Sequence, residues 1–239
     1  MSRFAPVNEG TDTWRGPCSV PRHRHDRAYA ALILSGSYEE SGSFGRYRVR
    51  PGQVLLHRRF DAHLDRFESG DAQIVNLLLT QEPAFGLGCV TDADTIARLS
   101  EKDAVAAAAA LGEQLRPVPP PITDWPDLLA RDLRDDPQLC LEDWARRHHL
   151  APETLSRGFR KVFATAPVGF RAEARTQDAL TLIAKGSSPL AAIAAATGFA
   201  DQAHMTRAIT ALTGRPPGYW RKVKSLQDPA RGSRLYKET

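Results

Sequence analysis

The chain has 239 residues, long enough for one large domain or two ordinary ones, each with its own core. Hydrophobic residues make up 42% and charged residues 25%, which excludes wholesale disorder, and no run of about eighteen apolar residues occurs that could cross a membrane as a helix. The net charge of +4 is unevenly spread. Residues 1–90 hold 11 Lys/Arg against 10 Asp/Glu, residues 91–136 hold 5 against 10, and residues 137–224 hold 13 against 6. A basic block of this size late in the chain is the electrostatic footprint of a nucleic-acid partner, although basic domains also face membranes and acidic proteins. The three cysteines, Cys18, Cys89 and Cys140, are scattered and odd in number, and the first residues lack a basic stretch followed by an apolar run. Both features lead to the expectation of a reducing, cytoplasmic setting with no disulfide framework.

The first ~85 residues read as short strands punctuated by Gly and Pro. "YAALILSGSYEE", "SFGRYRVRPGQVLLH" and "AQIVNLLLT" are strand runs separated by turn residues, a pattern that predicts an antiparallel barrel or sandwich. Residues 92–115, Ala-rich and acidic, predict a helix. "RPVPPPITDWP" (116–126) carries five prolines and reads as an interdomain linker. From Trp125 to about Lys224 the pattern is of short helices, and the polar tail 225–239 is expected to be flexible.

Within that helical region "LEDWARRHHLAPETLSRGFRKVFATAPVGFR" (141–171) is echoed by "LAAIAAATGFADQAHMTRAITALTGRPPGYWR" (190–221). The offset is 49 up to the turn, pairing Ala145 with Ala194 and Leu150 with Phe199, and 50 after it, pairing Leu155 with Met205, Arg157 with Arg207 and Phe170 with Trp220. Each unit reads as helix, tight turn, helix and a Pro-marked exit. Ser187-Ser188-Pro189 predicts a capped helix start, Ala194 a close crossing of two helices, Gly198 the turn, and Met205 with Ile209 a buried stripe. One such unit is equally well a plain helical bundle. Two units joined by a continuous helix over about 168–186 can reach successive major grooves about 34 Å apart.

Residues 125–224 resemble the DNA-binding domain of the AraC/XylS family of bacterial transcription regulators. The resemblance rests on Ala194, Gly198, Phe199, Gln202, Thr206, Arg207, Gly214, Pro217, Tyr219 and Arg221. Ile209 stands where that family usually has Phe, and Thr210-Ala211 where basic residues are common. The resemblance implies recognition helices over about 152–163 and 201–212. Base edges would be read by Glu153, Thr154, Ser156 and Arg157 in the first, and by Gln202, Ala203, His204, Thr206 and Arg207 in the second. Arg160, Lys161, Arg171, Arg175, Arg221 and Lys222 are the phosphate candidates.

The same family couples this domain to an N-terminal sensor that is often a cupin-like barrel. "HRH" (23–25) resembles the first cupin motif and "PGQVLLHRRFDAH" (51–63) the second, which would make His23, His25 and His63 ligands of one divalent transition-metal ion such as Zn²⁺, Cu²⁺, Ni²⁺ or Fe²⁺. The usual glutamate after the second histidine is absent; His57, Asp61, Asp26 and Cys18 are conceivable substitutes. The same histidines could instead bind a small organic effector, or nothing. The adjacent pair His148-His149, about 100° apart on a helix, reads as a solvated surface pair.

The expected architecture is thus multi-domain α and β: a cupin-like antiparallel β-barrel (1–90), a helical linker (91–124) that either dimerises or packs on the barrel, an all-α domain with two helix-turn-helix units (125–224) and a tail (225–239). The expected function is a DNA-binding transcription regulator that answers to a small molecule or a metal ion. Its partners would be double-stranded DNA, that effector, RNA polymerase and a second copy of the chain, and no membrane. The alternative is a metal-dependent cupin enzyme fused to a DNA-binding domain.

Overall fold

The computed structural model describes residues 4–68 and 70–223, so the expected tail at 225–239 lies outside the described residues. The chain divides into two compact units, Met1–Asp127 and Leu128–Thr239.

The first unit is built on ten strands: β1 (Gly10–Arg15), β2 (Cys18–Arg24), β3 (Tyr29–Ser35), β4 (Tyr38–Gly42), β5 (Gly45–Val49), β6 (Gln53–His57), β7 (Ala62–Phe67), β8 (Asp71–Leu78), β9 (Leu87–Cys89) and β10 (Arg116–Pro117). They form two antiparallel sheets, β1-β8-β3-β6-β9-β10 and β2-β7-β4-β5, rather than one closed barrel. The central strands explain the continuous apolar runs of the sequence. In β3, Tyr29, Ala31 and Ile33 belong to a core with Tyr38, Val49 and Phe67 of the four-stranded sheet, while Ala30 and Leu32 pack on the other face. A strand buried on both faces has no polar side to alternate with.

That other face is covered by two helices, α1 (Ala93–Ser100) and α2 (Ala104–Gln114). Ile96, Ala107 and Leu111 pack there against Leu32, Val54, Leu56, Val75 and Leu77. The single helix expected over 92–115 is therefore two. Asp103 is the cause: its carboxylate accepts from the backbone N–H groups of Val105 and Ala106, starting a new helix where the first has ended at Glu101.

The second unit contains α3 from Leu128 onward (the helix spans Trp125–Asp135), α4 (Leu141–Arg147), α5 (Pro152–Phe163), α6 (Pro167–Lys185), α7 (Leu190–Ala196), α8 (Gln202–Thr213) and α9 (Pro217–Lys222). Its apolar core includes Trp144, Phe159, Phe163, Phe170, Ile183, Ile193, Met205, Ile209 and Trp220, all nearly inaccessible to water. The indole N–H of Trp144 donates to Asp132 (2.9 Å) and that of Trp220 to the Thr213 hydroxyl (2.9 Å), so both buried donors are satisfied. No helix among the described residues is long and apolar enough to cross a membrane.

Candidate functional site

The helical repeat seen in the sequence extends to the backbone. Gly198, after α7, has φ +73°, and His149, its counterpart after α4, has φ +54°; Gly214, after α8, has φ +76°, and Ala164, after α5, has φ +51°. Both units therefore use a left-handed residue in the tight turn and another at the end of the second helix. His148-His149 lies in the first turn rather than on a helix, and the His148 ring stacks on Trp144 at 3.9 Å. Asp201 caps α8 by accepting from the His204 N–H (2.6 Å), whereas α7 begins after Pro189 with no side-chain cap, so the expected Ser187-Ser188 cap does not form.

Leu155, Phe159 and Val162 turn one face of α5 inward, and Met205 with Ile209 does the same for α8. The opposite face of α5 exposes Glu153, Thr154, Arg157, Arg160 and Lys161, with Ser156 half-buried. On α8, Gln202, Ala203 and Arg207 are exposed, and His204 and Thr206 are half-buried. The His204 ring meets Phe199 edge-on at 5.2 Å, which fixes its direction. Arg171 and Arg221 occupy equivalent places and make equivalent bonds. Arg171 donates to the Leu139 carbonyl (2.7 Å) and Arg221 to that of Ser188, each tying the helix that follows a second helix to the chain entering the first. Arg175 lies over the Phe199 ring at 4.9 Å.

In the first unit, four of the chain's seven histidines converge between the sheets. A bulge in β2 is the local cause. Val20 pairs with Asp65 and His23 with His63, so three steps on β2 match two on β7. Cys18 and Val20 pack inward; the extra residue reverses the alternation, and His23 and then His25 turn inward instead of out. The His23 and His63 rings end 4.2 Å apart, and His25 and His63 5.4 Å apart. The Nδ1 atoms of His23 and His25 each lie 2.9 Å from a backbone carbonyl, of Pro21 and Ala5. A proton on Nδ1 donates there and leaves the Nε2 lone pair free, the tautomer a metal ligand needs.

Opposite lie Tyr29 and His57, cross-strand partners whose rings stack at 4.2 Å, and the Tyr29 hydroxyl is 3.2 Å from His63 Nε2. Sequence reasoning missed Glu40, which enters from β4 and faces Asp65 across the ladder; His57 Nε2 lies 3.5 Å from one of its carboxylate oxygens, with no hydrogen bond between them. The donor atoms form two triads, His23–His25–His63 and Glu40–His57–His63, each with its atoms within 4.8 Å of one another. Of the conceivable substitutes, only His57 joins a triad among the described residues.

Burial, and then the neighbouring imidazoles, hold His57 and His63 well below the usual histidine range; burial and His23 bring His25 down to about 4, and burial lowers His23. All four are neutral near pH 7 and able to coordinate. Burial and the facing Asp65 push Glu40 well up, and burial raises Asp65 to about 7.

Residues 144–223 match the family model described as "Helix-turn-helix domain". No curated protein matches the chain. Among solved structures it is similar to ToxT from Vibrio cholerae (10% identity, covering 90% of this chain and 97% of that one, TM-score 0.40). It is also similar to the C-terminal domain of AraT, a response regulator from Geobacillus stearothermophilus (21%, 41% and 86%, 0.36), and to a probable AraC family transcriptional regulator from Rhodopseudomonas palustris (18%, 41% and 94%, 0.38). Likenesses of this size carry no statement about ligand or operator. The match and the two turn-related units agree: residues 144–223 of this chain form a helix-turn-helix domain.

Proposed function

We propose that α5 and α8 each read a segment of duplex DNA, and that the β unit holds the effector, a divalent transition-metal ion in the histidine pocket. The observation that carries the DNA reading is the repetition itself: two turn-equivalent units present Glu153, Thr154, Ser156 and Arg157, and Gln202, His204, Thr206 and Arg207, as exposed or half-buried side chains on helices whose apolar stripes are buried. Side chains of these types reach base edges, while Arg160 and Lys161 at the end of α5 suit phosphates. Arg171 and Arg221 already bond to backbone carbonyls, so in this proposal they hold each unit in shape and meet phosphates only with their remaining N–H groups.

An ion is favoured over an organic effector by the space available. The cavity bordered by Glu40, His57, Asp61 and His63 measures about 10 Å³, room for one water or one ion. His63 borders it, and His23 and His25, each with Nδ1 against a backbone carbonyl, stand next to His63 as further nitrogen donors. Contact with RNA polymerase and pairing of two chains belong to the proposal through the family resemblance.

The test is made on full-length protein purified without chelator or affinity tag. Footprinting should protect two segments on one side of the duplex about one helical turn apart, and metal analysis should find one ion per chain. A His23→Ala/His63→Ala variant should lose the ion and the regulatory response yet still recognise the operator. A single protected segment, indifferent to changes in either α5 or α8, would overturn the DNA reading.

A further inference from the structure

The pocket offers a cation two positions that share His63, and they are not equivalent. In the outer triad His23 is only half-buried, and each of His23 and His25 has its Nδ1 engaged with a backbone carbonyl. In the inner triad all three residues are buried, Glu40 to 4%, His57 to 5% and His63 to 3% exposure. We propose that the ion rests in the inner position, coordinated by Glu40, His57 and His63, with His23 and His25 flanking it rather than holding it.

Four observations carry this. First, His57 Nε2 and His63 Nδ1 are buried without a hydrogen-bond partner among the described residues. Buried imidazole nitrogens are ordinarily satisfied, and a coordinated ion satisfies them. Second, the small cavity is bordered by Glu40, His57 and His63 and by neither His23 nor His25. Third, Glu40 supplies the carboxyl ligand that the "HRH" strand lacks, and a bound ion displaces the proton that burial favours on it. Three neutral imidazoles leave a divalent charge uncompensated in a low-dielectric site, and one carboxylate offsets half of it. Fourth, Gly42 keeps the position open: a Cβ there would lie 3.2 Å from the His63 Cβ and 3.4 Å from a Glu40 carboxylate oxygen. Two imidazoles and one carboxylate make a borderline donor set, suited to Zn²⁺, Co²⁺ or Fe²⁺ rather than to Mg²⁺ or Ca²⁺.

The inference rests on the reading that the β unit holds an ion, and the experiment separates the two. Metal-free full-length protein is titrated with Co²⁺, followed by the visible d–d absorption of the bound ion, and then with Zn²⁺, followed by displacement of Co²⁺. Wild type and His23→Ala/His25→Ala should each bind one Co²⁺ per chain, with affinities within a few-fold of each other. Glu40→Gln, nearly isosteric, and His57→Gln should each weaken binding at least tenfold with unchanged circular dichroism. If one of these variants fails to fold, the other decides. Loss of binding in His23→Ala/His25→Ala, with retention in Glu40→Gln and His57→Gln, would overturn the inner position and leave the ion-holding reading intact. No Co²⁺ or Zn²⁺ uptake by wild type would overturn both.

Discussion

Arg157 and Arg207 are equivalent in the repeat, both exposed, one on α5 and one on α8. The units that carry them flank α6, whose 19 residues span about 28 Å at 1.5 Å per residue. That length is close to the roughly 34 Å between successive major-groove segments on one side of a duplex, so each arginine should meet its own segment. A base-edge arginine contributes about 1–3 kcal/mol, so Arg157→Ala and Arg207→Ala should each weaken operator binding by roughly 5- to 150-fold. Sites this far apart without shared partners add, and the double variant should therefore lose about 2–6 kcal/mol. Fluorescence anisotropy titrations at one fixed salt concentration, with a scrambled duplex as the non-specific floor, measure all three. Changing bases in one operator half should abolish the effect of one substitution and spare the other. A double variant no weaker than the weaker single one, or both substitutions sensitive to the same half-site, would refute the assignment of one unit to each groove segment.

Lys161→Ala should instead weaken every sequence alike and reduce the slope of log K against log salt by about 1, read from titrations at several salt concentrations. Gly198→Ala should destabilise the helical unit by about 1–2 kcal/mol, since φ is +73° and the nearest atoms to a new Cβ are an unstrained 3.5 Å away, so the cost is one of backbone conformation. His149→Gly, at the equivalent turn, should change stability by less than about 1 kcal/mol, because relief at φ +54° is offset by the freedom glycine adds to the unfolded chain; chemical denaturation checks both. In metal-free protein the buried histidines bind protons less readily than they do unfolded, so their contribution to stability is lost as pH falls from about 6.5 toward 4, while Glu40, pushed well up, and Asp65, raised to about 7, act oppositely and lose stability as pH rises over that window. Asp65→Asn should therefore steepen the rise in thermal midpoint between pH 4 and 6.5, and an unchanged or shallower slope would contradict the burial of that carboxyl.

The helical region was legible because a repeat compares a sequence with itself. The change of offset from 49 to 50 located the inserted residue between the turn and the second helix, where Asp201 takes the capping position of α8. Its partner turn was harder to read: Gly198 announces a left-handed residue, whereas His149 adopts the same conformation without the residue type that usually marks it. In the β unit, strand runs were visible but their sheet was not, because apolar runs such as "AALIL" are buried on both faces and carry no alternation to say which residue looks where. The split of 92–115 turned on Asp103, one acidic residue among several in an Ala-rich stretch that is otherwise uniformly helix-forming.

The candidate ion site shows why spacing alone did not point to Glu40. The cupin pattern has a glutamate a few residues beyond "HRH", but that place belongs to Tyr29 at the start of β3, whose ring stacks on His57 and whose hydroxyl meets His63. The carboxylate comes instead from β4, where Tyr38, Glu40 and Gly42 alternate inward by period two, a signal present in "YEESG" once the strand's inner face is known. That face is fixed by pairing with β7, and β7 also receives the bulged end of β2. Pro21 is tolerated at the bulge because β2 is an edge strand with β7 as its only neighbour in its sheet. The proline that opens "PRHRHD" is thus part of the reason its histidines point inward: an uninterrupted strand would keep Cys18 and Val20 inside and send His23 and His25 to the other face.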